Sequence, residues 1–353
     1  MSSLSIKNIR IEGLSACVPS RIEENIDIEI FPSKQDAEKV IKSTGIERRR
    51  VVEPGVTASD MSVKAVNKLL DDLKWESSSV DCFIYVCTSR DYIAPQTSCI
   101  LQDRLNLRED CFVMDLPLGC SGWVYGLSVI SSLLSNGGFK RGILVAAETN
   151  TKNRSSKDKT VKPIFGDAAT ATAIVYDPQN EKPFNFIFGV DGKGYNAVWT
   201  KYGGMRNPTT VDALEEKEYE EGVIRKGTDM EVKGMDVFAF AIKQPARSIK
   251  KLIADFNINL DNIDLLFLHQ ANKFIDEKIR KSLGLPPEKV PYSLEDFGNV
   301  TSASIPLTMV VSTQDKLTTK DNHCIVCGFG VGLAWASAEI DINNLSANSL
   351  IEY

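Results

Sequence analysis

Short, fully apolar runs alternate with amphipathic segments along the first half of the chain. Cys82–Val86 is apolar throughout, and 142–146 (Gly-Ile-Leu-Val-Ala) repeats the pattern of a strand that is buried on both faces. Between these runs, apolar residues in 121–134 recur at spacings of four, three and four, which places them on one face of a helix. Strands that alternate with helices predict an α/β architecture.

The second half of the chain repeats the order of elements in the first. The run 80–85 (Val-Asp-Cys-Phe-Ile-Tyr) has a counterpart in 263–268 (Ile-Asp-Leu-Leu-Phe-Leu), and a helical segment follows each run. Further along, Cys120 and Asn299 each precede small residues of the kind that open a helix. The repeat therefore predicts that Cys120 and Asn299 occupy equivalent turns from a strand to a helix.

We predict from this repeat two halves of similar fold, 1–180 and 181–353. The second half contains a stretch without regular pattern, 203–229, which carries the acidic run 215–221. A charge run of this kind is typical of a solvated loop or lid.

Composition restricts the classes of function. The chain has 353 residues and a net charge of -6, so it has length for a large core but no excess of basic residues for nucleic acid. No apolar stretch approaches the ~18 residues of a membrane span, and the N-terminus lacks the apolar core of a secretion signal. We therefore expect a cytoplasmic protein that binds neither nucleic acid nor membrane. Its eight cysteines are then expected to be reduced, most of them as small buried side chains.

Cys120 is a candidate nucleophile. It lies between Gly119 and Ser121, at the predicted start of a helix, where the helix dipole and unpaired backbone N–H groups favour a thiolate. Gly119 and Gly122 allow a sharp turn and leave backbone N–H groups free to face an oxyanion. By position alone, a buried structural cysteine fits this residue equally well.

Two polar residues of the second half are candidate partners of Cys120. His269 follows the predicted strand 263–268, at the end where α/β proteins present functional side chains, although a structural histidine fits there as well. Asn299 by itself is best explained as a helix N-cap. The other histidine, His323, lies in a polar segment and is predicted to be solvated. The combination of cysteine, histidine and asparagine favours catalysis over these separate structural roles.

Two further patterns are weaker. Cys324 and Cys327 have CxxC spacing, but they lie in an apolar run with too few further ligands for a zinc site, so we expect no metal. The glycine-rich segment 328–332 lacks the spacing of a dinucleotide-binding loop and precedes a predicted strand, which disfavours a nicotinamide cofactor. Its backbone N–H groups are better suited to an oxyanion.

Cysteine, histidine and asparagine in this chain order also occur in papain-like proteases. The gap of 149 residues between Cys120 and His269 agrees with the spacing in that family, and Trp123 follows the cysteine three residues on. The internal repeat, the absent secretion signal and the missing second cysteine of the Cys-Gly-Ser-Cys-Trp motif argue against a protease.

The sequence resembles the thiolase-fold β-ketoacyl-acyl-carrier-protein synthase III family over nearly its whole length. The segments that carry the resemblance are 43–49 (Ser-Thr-Gly-Ile-Glu-Arg-Arg), 119–122 (Gly-Cys-Ser-Gly), 164–169 (Ile-Phe-Gly-Asp-Ala-Ala), 268–272 (Leu-His-Gln-Ala-Asn), 298–307 and 328–335. The resemblance implies a homodimer of five-layered α/β/α/β/α subunits. It implies no cofactor beyond the acyl-CoA or acyl carrier protein and malonyl carrier protein that serve as substrates.

The resemblance also implies a role for each candidate residue. Cys120 would take the acyl group from a thioester, while the backbone N–H groups of Cys120, Gly330 and Val331 hold the oxyanion. Malonyl carrier protein would then lose CO₂. His269 and Asn299 would stabilise the enolate that attacks the acyl group.

Several positions depart from the housekeeping members of that family. A tryptophan and an arginine that hold the CoA adenine there correspond to Lys39 and Lys159 here, and lysine offers no flat surface for stacking. We therefore consider a carrier protein as the alternative acyl donor. Ala94 stands where the family can limit acyl length across the dimer interface, and its small side chain predicts room for a longer or bulkier acyl group. Candidate residues for carrier-protein docking are Lys273, Arg280 and Lys281.

Three functions are compatible with the sequence. The favoured one is decarboxylating condensation in fatty-acid or specialised acyl-chain biosynthesis, and an alternative is transfer of the acyl group to an alcohol or amine without decarboxylation. The third, a non-enzymatic partner subunit of a condensing pair, is disfavoured by the intact set of Cys120, His269 and Asn299. No glutamate lies between Val80 and Gln102, which argues against a hydroxymethylglutaryl-CoA synthase because those enzymes need a glutamate there as general acid–base.

Overall fold

The computed structural model of the chain describes residues 1–353, except for the side chains of 314–316. Its strands are β1 (Ser2–Ile6), β2 (Ile9–Val18), β3 (Ile22–Glu24), β4 (Arg48–Arg50), β5 (Cys82–Val86), β6 (Phe112–Leu116), β7 (Arg141–Thr149), β8 (Asp167–Tyr176), β9 (Phe184–Val190), β10 (Val198–Thr200), β11 (Lys217–Glu220), β12 (Val223–Arg225), β13 (Met230–Val232), β14 (Leu265–Leu268), β15 (Asp321–Gly330), β16 (Ala334–Asn343) and β17 (Ala347–Glu352). Its helices are α1 (Lys34–Thr44), α2 (Ala58–Leu73), α3 (Thr97–Arg104), α4 (Gly122–Leu134), α5 (Gly234–Ala241), α6 (Gln244–Phe256), α7 (Lys273–Leu283), α8 (Leu294–Phe297), α9 (Ser304–Ser312) and α10 (Gln314–Thr319).

Two mixed β-sheets form the frame of the molecule. The larger sheet has the strand order β17-β2-β8-β7-β5-β6, and the smaller has β1-β9-β16-β15-β14. In the larger sheet, β5 is parallel to β7, β7 is antiparallel to β8, and β8 is antiparallel to β2. The smaller sheet repeats this pattern with β14, β15, β16 and β9. The predicted α/β fold with two repeated halves is therefore confirmed.

Helices form three layers around the two sheets. Helices α2 and α3 cover the outer face of the larger sheet, α4 and α9 lie between the sheets, and α6 and α7 cover the outer face of the smaller sheet. Strand β5 serves two of these layers because successive side chains of a strand point to opposite faces. Cys82, Ile84 and Val86 belong to the central core, whereas Phe83 and Tyr85 belong to the outer core. The result is the five-layered α/β/α/β/α arrangement.

The two ends of the chain exchange sheets. The N-terminal strand β1 pairs with β9 of the smaller sheet, and the C-terminal strand β17 pairs with β2 of the larger sheet. A cut between 180 and 181 would therefore leave each sheet without one of its edge strands. The limits 1–180 and 181–353 stay a prediction, and the exchange adds that neither half completes its own sheet.

Predictions from apolar periodicity hold where the pattern is strong. Strand β5 has the predicted bounds, and α4 begins one residue after the predicted start. The apolar stripe of that helix is completely buried: Trp123, Leu127, Ile130 and Leu134.

Two predictions about local structure in the second half of the chain are wrong. Asn299 does not follow a strand: it comes after the short helix α8, and a single bridge joins it to Phe165. The acidic stretch within 203–229 is not irregular either, because 217–225 forms a hairpin of β11 and β12. That hairpin adjoins the segment around Asp158, whose backbone bridges to Val223.

Within the part of the chain that the structure describes, no helix is both long enough and apolar enough to cross a bilayer.

Candidate active site

Cys120 lies in a sharp turn between β6 and α4, against the end of strand β15. Two glycines of β15 allow this approach. A Cβ at Gly328 would lie 2.8 Å from the carbonyl oxygen of Cys120, and a Cβ at Gly330 would lie 2.7 Å from its Sγ. Since real Cβ atoms do not approach other atoms so closely, only glycine fits at both positions. The predicted glycine loop therefore borders the thiol.

The electrostatics of Cys120 oppose the expectation from the helix dipole. Burial raises the pKa of its thiol to about 11, although a hydrogen bond from the backbone of Val331 and the positive charge of Arg154 lower it. Only 8% of the residue is exposed. The thiol is therefore protonated at neutral pH, and a role as nucleophile would require that its proton leave as the sulfur attacks.

His269 follows the last residue of β14, as the sequence predicts. Its backbone N–H donates to the carbonyl of Cys327 at 2.8 Å, and its ring meets that of Phe329 edge-on, with centroids 5.4 Å apart. Burial lowers the pKa of the imidazole to about 3, and a hydrogen bond with the backbone of Thr301 opposes this only in part. The ring is therefore neutral at physiological pH.

Asn299 is held in one orientation by its neighbours. Its backbone N–H donates to the carbonyl of Ile164 at 2.9 Å, and its own carbonyl accepts from Gly166 at 3.2 Å. The backbone N–H of Thr301 donates to its Oδ1 at 2.9 Å. Its Nδ2 group makes no hydrogen bond with the described residues, so it remains available as a donor.

Thr301 has a backbone conformation that is unfavourable for a β-branched residue. Its φ is 49°, in the left-handed region. Hydrogen bonds with Asn150 at 3.1 and 3.2 Å hold its hydroxyl in place. This conformation directs the N–H of Thr301 at Asn299, which is an example of local strain at a functional position.

The three predicted residues meet in one cavity of about 510 Å³. Cys120, His269 and Asn299 all contribute to its lining, together with Gly330 and Val331. Its apolar wall includes Ile164, Phe165, Val198, Val237, Phe240, Ile275 and Phe329. The charged residues of the lining are Arg154, Glu220, Arg225, Glu231 and Lys233. The structure thus brings together nucleophile, donors and backbone loop in a largely apolar space, which strengthens electrostatic interactions within it.

The predicted substrate-binding lysines lie outside this cavity. Lys39 is exposed on α1 and pairs with Asp36 at 2.8 Å. Lys159 is half-buried in the segment next to the hairpin, where its backbone N–H donates to Gly222 at 3.0 Å. Neither residue lines the space around Cys120.

The predicted docking residues of α7 differ in their availability. Lys273 and Lys281 are exposed. Arg280 forms an ion pair with Glu277 at 2.7 Å and donates to the carbonyl of Leu285 at 2.5 Å, which leaves 11% of its side chain exposed. The donors of Arg280 are therefore already used by Glu277 and Leu285, and a docking role for this residue stays a prediction.

Ala94 also lies apart from the cavity of its own chain. It belongs to an exposed loop, in which Tyr92 and Ile93 are 62% and 70% exposed. A role for Ala94 in limiting acyl length would require that a second copy of the chain accept this loop, so that role stays a prediction.

The prediction that His323 is merely solvated is wrong. His323 lies in β15, directly opposite Asp341 of β16, with Nδ1 and Oδ1 2.6 Å apart. Its Nε2 lies 3.0 Å from a carboxylate oxygen of Glu339. Hydrogen bonds with these two carboxylates raise the pKa of the imidazole to about 9. His323 is therefore a charged structural residue.

Cys324 and Cys327 are fully buried in β15. Burial raises the pKa of both thiols, that of Cys327 to about 12. Among the residues whose side chains the structure describes, no group of three or more histidine, cysteine, aspartate or glutamate side chains is arranged to hold a metal.

Sequence reasoning missed two buried charged residues beside Cys120. Glu148 ends the apolar run of β7 and accepts hydrogen bonds from the backbone N–H and hydroxyl groups of Thr88 and Ser89, at 2.7 to 3.1 Å. Arg154 lines the cavity and is 8% exposed. A carboxylate directly after an apolar strand is a signal that points to Glu148. Arg154 had no such signal, because it is one of several charged residues in a polar segment.

Comparisons with known proteins cover both halves of the site. The family model described as 3-oxoacyl-[acyl-carrier-protein (ACP)] synthase III matches residues 114–192, which include Cys120. The model of the C-terminal part of the same family matches residues 253–342, which include His269 and Asn299.

Full-length relatives carry the same description. A beta-ketoacyl-[acyl-carrier-protein] synthase III from Clostridium tetani is 32% identical over 339 residues, covering 95% of this chain and 98% of the relative. One from Rhodopirellula baltica is 29% identical over 352 residues, with coverage of 95% and 98%. The crystal structure of a 3-oxoacyl-(acyl-carrier protein) synthase from Burkholderia xenovorans LB400 superposes with a TM-score of 0.93 at 31% identity, covering 100% of this chain and 99% of that one.

Proposed function

This chain belongs to the 3-oxoacyl-[acyl-carrier-protein] synthase III family, and we propose that it condenses an acyl thioester with malonyl carrier protein through an acyl group on Cys120. The observation that carries the proposal is the single cavity in which Cys120, His269 and Asn299 meet. The product would be a β-ketoacyl carrier protein, with CO₂ and the thiol of the acyl donor released.

The first half-reaction transfers the acyl group to the enzyme. Sγ of Cys120 attacks the carbonyl carbon of the donor, a new C–S bond forms, and the C–S bond to the donor thiol breaks. The proton of Cys120 leaves with the donor thiol. We assign the backbone N–H groups of Cys120, Gly330 and Val331 to the oxyanion, and the hydrogen bond from the backbone of Val331 to Sγ supports this assignment.

The second half-reaction makes the carbon–carbon bond. We assign His269 and the Nδ2 group of Asn299 as donors to the thioester oxygen of the malonyl group, where negative charge develops as CO₂ leaves. The resulting carbanion attacks the acyl carbon, and Cys120 is released. A neutral imidazole suits this step because a charged one would offer its proton to the carbanion, and the pKa of His269 near 3 keeps it neutral.

The same low pKa disfavours the alternative acyl transfer to an alcohol or amine. Such a transfer needs a general base near neutrality to take a proton from the acceptor. With a pKa of about 3, His269 is a weak base for that purpose.

We further propose a cytoplasmic homodimer that takes both of its substrates on carrier proteins. Helix α1 contacts α7, so exposed Lys39, Lys273 and Lys281 belong to neighbouring elements. Asn272 and Ile275 at the start of α7 line the cavity, which supports the assignment of this basic region to docking. A carrier protein presents acidic groups that lysines can attract.

The exposed loop with Tyr92 and Ile93 is the candidate for contact with a second copy.

Acylation measured by intact mass tests this function. The protein would be incubated with acyl-CoAs and acyl carrier proteins of several chain lengths, with and without malonyl carrier protein, beside a Cys120→Ala control. We expect an acyl adduct on Cys120 that disappears when malonyl carrier protein is added, with release of CO₂. An adduct that passes to an alcohol or amine without CO₂ would support the alternative, and no adduct from any donor would refute the nucleophile. Strict preference for acetyl donors would refute the larger acyl pocket inferred from Ala94.

A further inference from the structure

Arg154 is a buried cation in the wall of the catalytic cavity. It shares this wall with Cys120 and Asn299, and 8% of the residue is exposed. The plane of its guanidinium faces the ring of Phe165, with Cζ 3.8 Å from the ring centroid. Phe165 is in turn the bridge partner of Asn299. Burial lowers the pKa of Arg154 to about 10, so it remains charged at neutral pH.

One end of the guanidinium is held by the protein. Nη1 donates to the carbonyl of Asn150 at 2.8 Å and to Oδ1 of Asn153 at 2.6 Å. These two bonds use both hydrogens of Nη1. Together with the stacking on Phe165, they fix the position and tilt of the group.

The other edge of the guanidinium has no partner among the described residues. Nε is buried and makes no hydrogen bond, and Nη2 makes none either. No described carboxylate lies within 4 Å of Arg154 to form an ion pair. The nearby Glu148 already receives hydrogen bonds from Thr88 and Ser89. Asp167 likewise receives them from Thr151 and Val52.

Nε is enclosed by protein, so the N–H groups of Nη2 are the ones left to bind a ligand. A charged N–H donor of this kind forms a strong hydrogen bond with a carboxylate oxygen. A buried charge without a paired partner is costly, so a protein that keeps one in a cavity has a use for it. The geometry points to Arg154 as the recognition site for a carboxylate on a thioester substrate. This inference deepens the proposed function and rests on it.

The acyl donor is the source of carboxylate that fits the chemistry best. The malonyl group also has a carboxylate, but it must be lost as CO₂. A fixed cationic partner would stabilise that group more before decarboxylation than during it, which slows the step. A carboxylate at the far end of the acyl chain undergoes no reaction, so its binding costs nothing in the transition state. We therefore assign the site to an acyl group that ends in a carboxylate.

A water molecule is the simplest other occupant. Arg154 and Phe165 also border a smaller cavity of about 30 Å³, which Arg49 and Lys162 line as well. That volume corresponds to about one water and is too small for an acyl chain. If Arg154 binds only water, the enzyme has no preference for acyl donors that carry a carboxylate. Donor specificity therefore distinguishes a water site from a carboxylate site.

Matched acyl donors test the assignment. The rate of Cys120 acylation would be measured by intact mass with carrier proteins bearing succinyl, glutaryl or adipyl groups, each beside its methyl ester and the neutral acyl chain of equal length. We expect at least one acid to react at least about tenfold faster than both neutral counterparts, as for a site with a built-in polar partner. Arg154→Met should abolish that preference and Arg154→Lys should keep part of it. Lys152→Met, which removes an exposed lysine two residues away, should leave it unchanged.

The outcomes separate the possibilities. A wild-type enzyme that acylates equally well with neutral donors overturns the carboxylate site but leaves the proposed function standing, whereas no acylation by any donor overturns both. If Arg154→Met changes only the KM for malonyl carrier protein, the carboxylate belongs to the extender and our assignment to the donor is wrong. If it changes only the pH profile of Cys120 alkylation by iodoacetamide, Arg154 acts on the thiolate instead. The wild-type comparison alone decides the matter if the variants fail to fold.

Discussion

Gly330 borders the sulfur of Cys120 so closely that a Cβ on it would lie 2.7 Å from Sγ. Its φ of 157° also lies outside the range that other residues readily adopt. The backbone conformation at the end of β15 and the position of the Cys120 sulfur therefore depend on each other.

Gly330→Ala is expected to slow acylation of Cys120 strongly. The added methyl group must displace Sγ, and small displacements of a reacting atom cost about 10²-fold in rate. Intact mass after brief exposure to an acyl donor measures this. Gly204→Ala is the control because nothing lies within 4 Å of a Cβ at that position. Equal acylation rates for both variants would show that the turn at Cys120 accommodates the methyl group without displacing Sγ.

Asn299→Asp is expected to separate the two half-reactions. Aspartate keeps the oxygen that accepts from Thr301 but lacks the Nδ2 donor. Loss of one such donor typically lowers a rate by about 10² to 10³. CO₂ release from malonyl carrier protein should fall by that amount while Cys120 acylation changes little. If both half-reactions fell equally, the donor role that we assign to Asn299 would be wrong.

The buried imidazole of His269 predicts an unusual pH dependence. Because its pKa is about 3 in the folded protein and about 6.5 when unfolded, the unfolded state binds the proton first as pH falls. Stability due to this group should therefore decline from about pH 6.5 towards 3. Urea unfolding of wild type and His269→Gln over that range measures it, with a flatter curve expected for the variant. An NMR titration of the ring with a midpoint near 6.5 would contradict the neutral, buried state.

His323 should give the opposite slope at higher pH. Its pKa is raised to about 9 by Asp341 and Glu339, and Lys182 also pairs with Asp341 at 3.1 Å. The stabilisation is complete below the unfolded pKa of about 6.5 and is lost as pH rises through 9. We expect a loss of about 2 kcal/mol across this range, reduced from the full linkage value by solvent screening at a partly exposed site. His323→Gln should remove this slope, and an unchanged slope would assign it to another group.

Glu148 should be structurally indispensable for the loop that leads to Ala94. Glu148→Ala would leave four donors of Thr88 and Ser89 without their acceptor. Since each unsatisfied buried donor costs about 1 to 3 kcal/mol, and the loop can relax towards solvent, we expect a loss of roughly 3 kcal/mol in the free energy of unfolding. Glu148→Gln should lose less because it keeps one acceptor oxygen. Glu53→Ala, at a side chain that is 61% exposed, serves as the control.

Sequence alone determined those features that depend on neighbouring residues. Strand β5 and helix α4 follow from apolar periodicity, because the faces of a strand or helix repeat every few residues whatever the rest of the fold does. The internal repeat placed Cys120 and Asn299 in corresponding parts of the two halves. His269, at the end of a predicted strand, completed a set of side chains that is suited to catalysis. The family resemblance added the five-layered fold.

Tertiary structure decided whatever depends on residues far apart in the chain. The exchange of β1 and β17 joins the two termini to opposite halves, and His323 meets Asp341 only because β15 and β16 pair in that register. The pKa values of Cys120 and His269 follow from burial, which no local pattern reveals, and they replaced the expectation of a dipole-stabilised thiolate with a protonated thiol beside a neutral imidazole. Burial and long-range charge are properties of the assembled cavity, so a lone arginine in a polar segment became a candidate for substrate recognition only when the fold enclosed it.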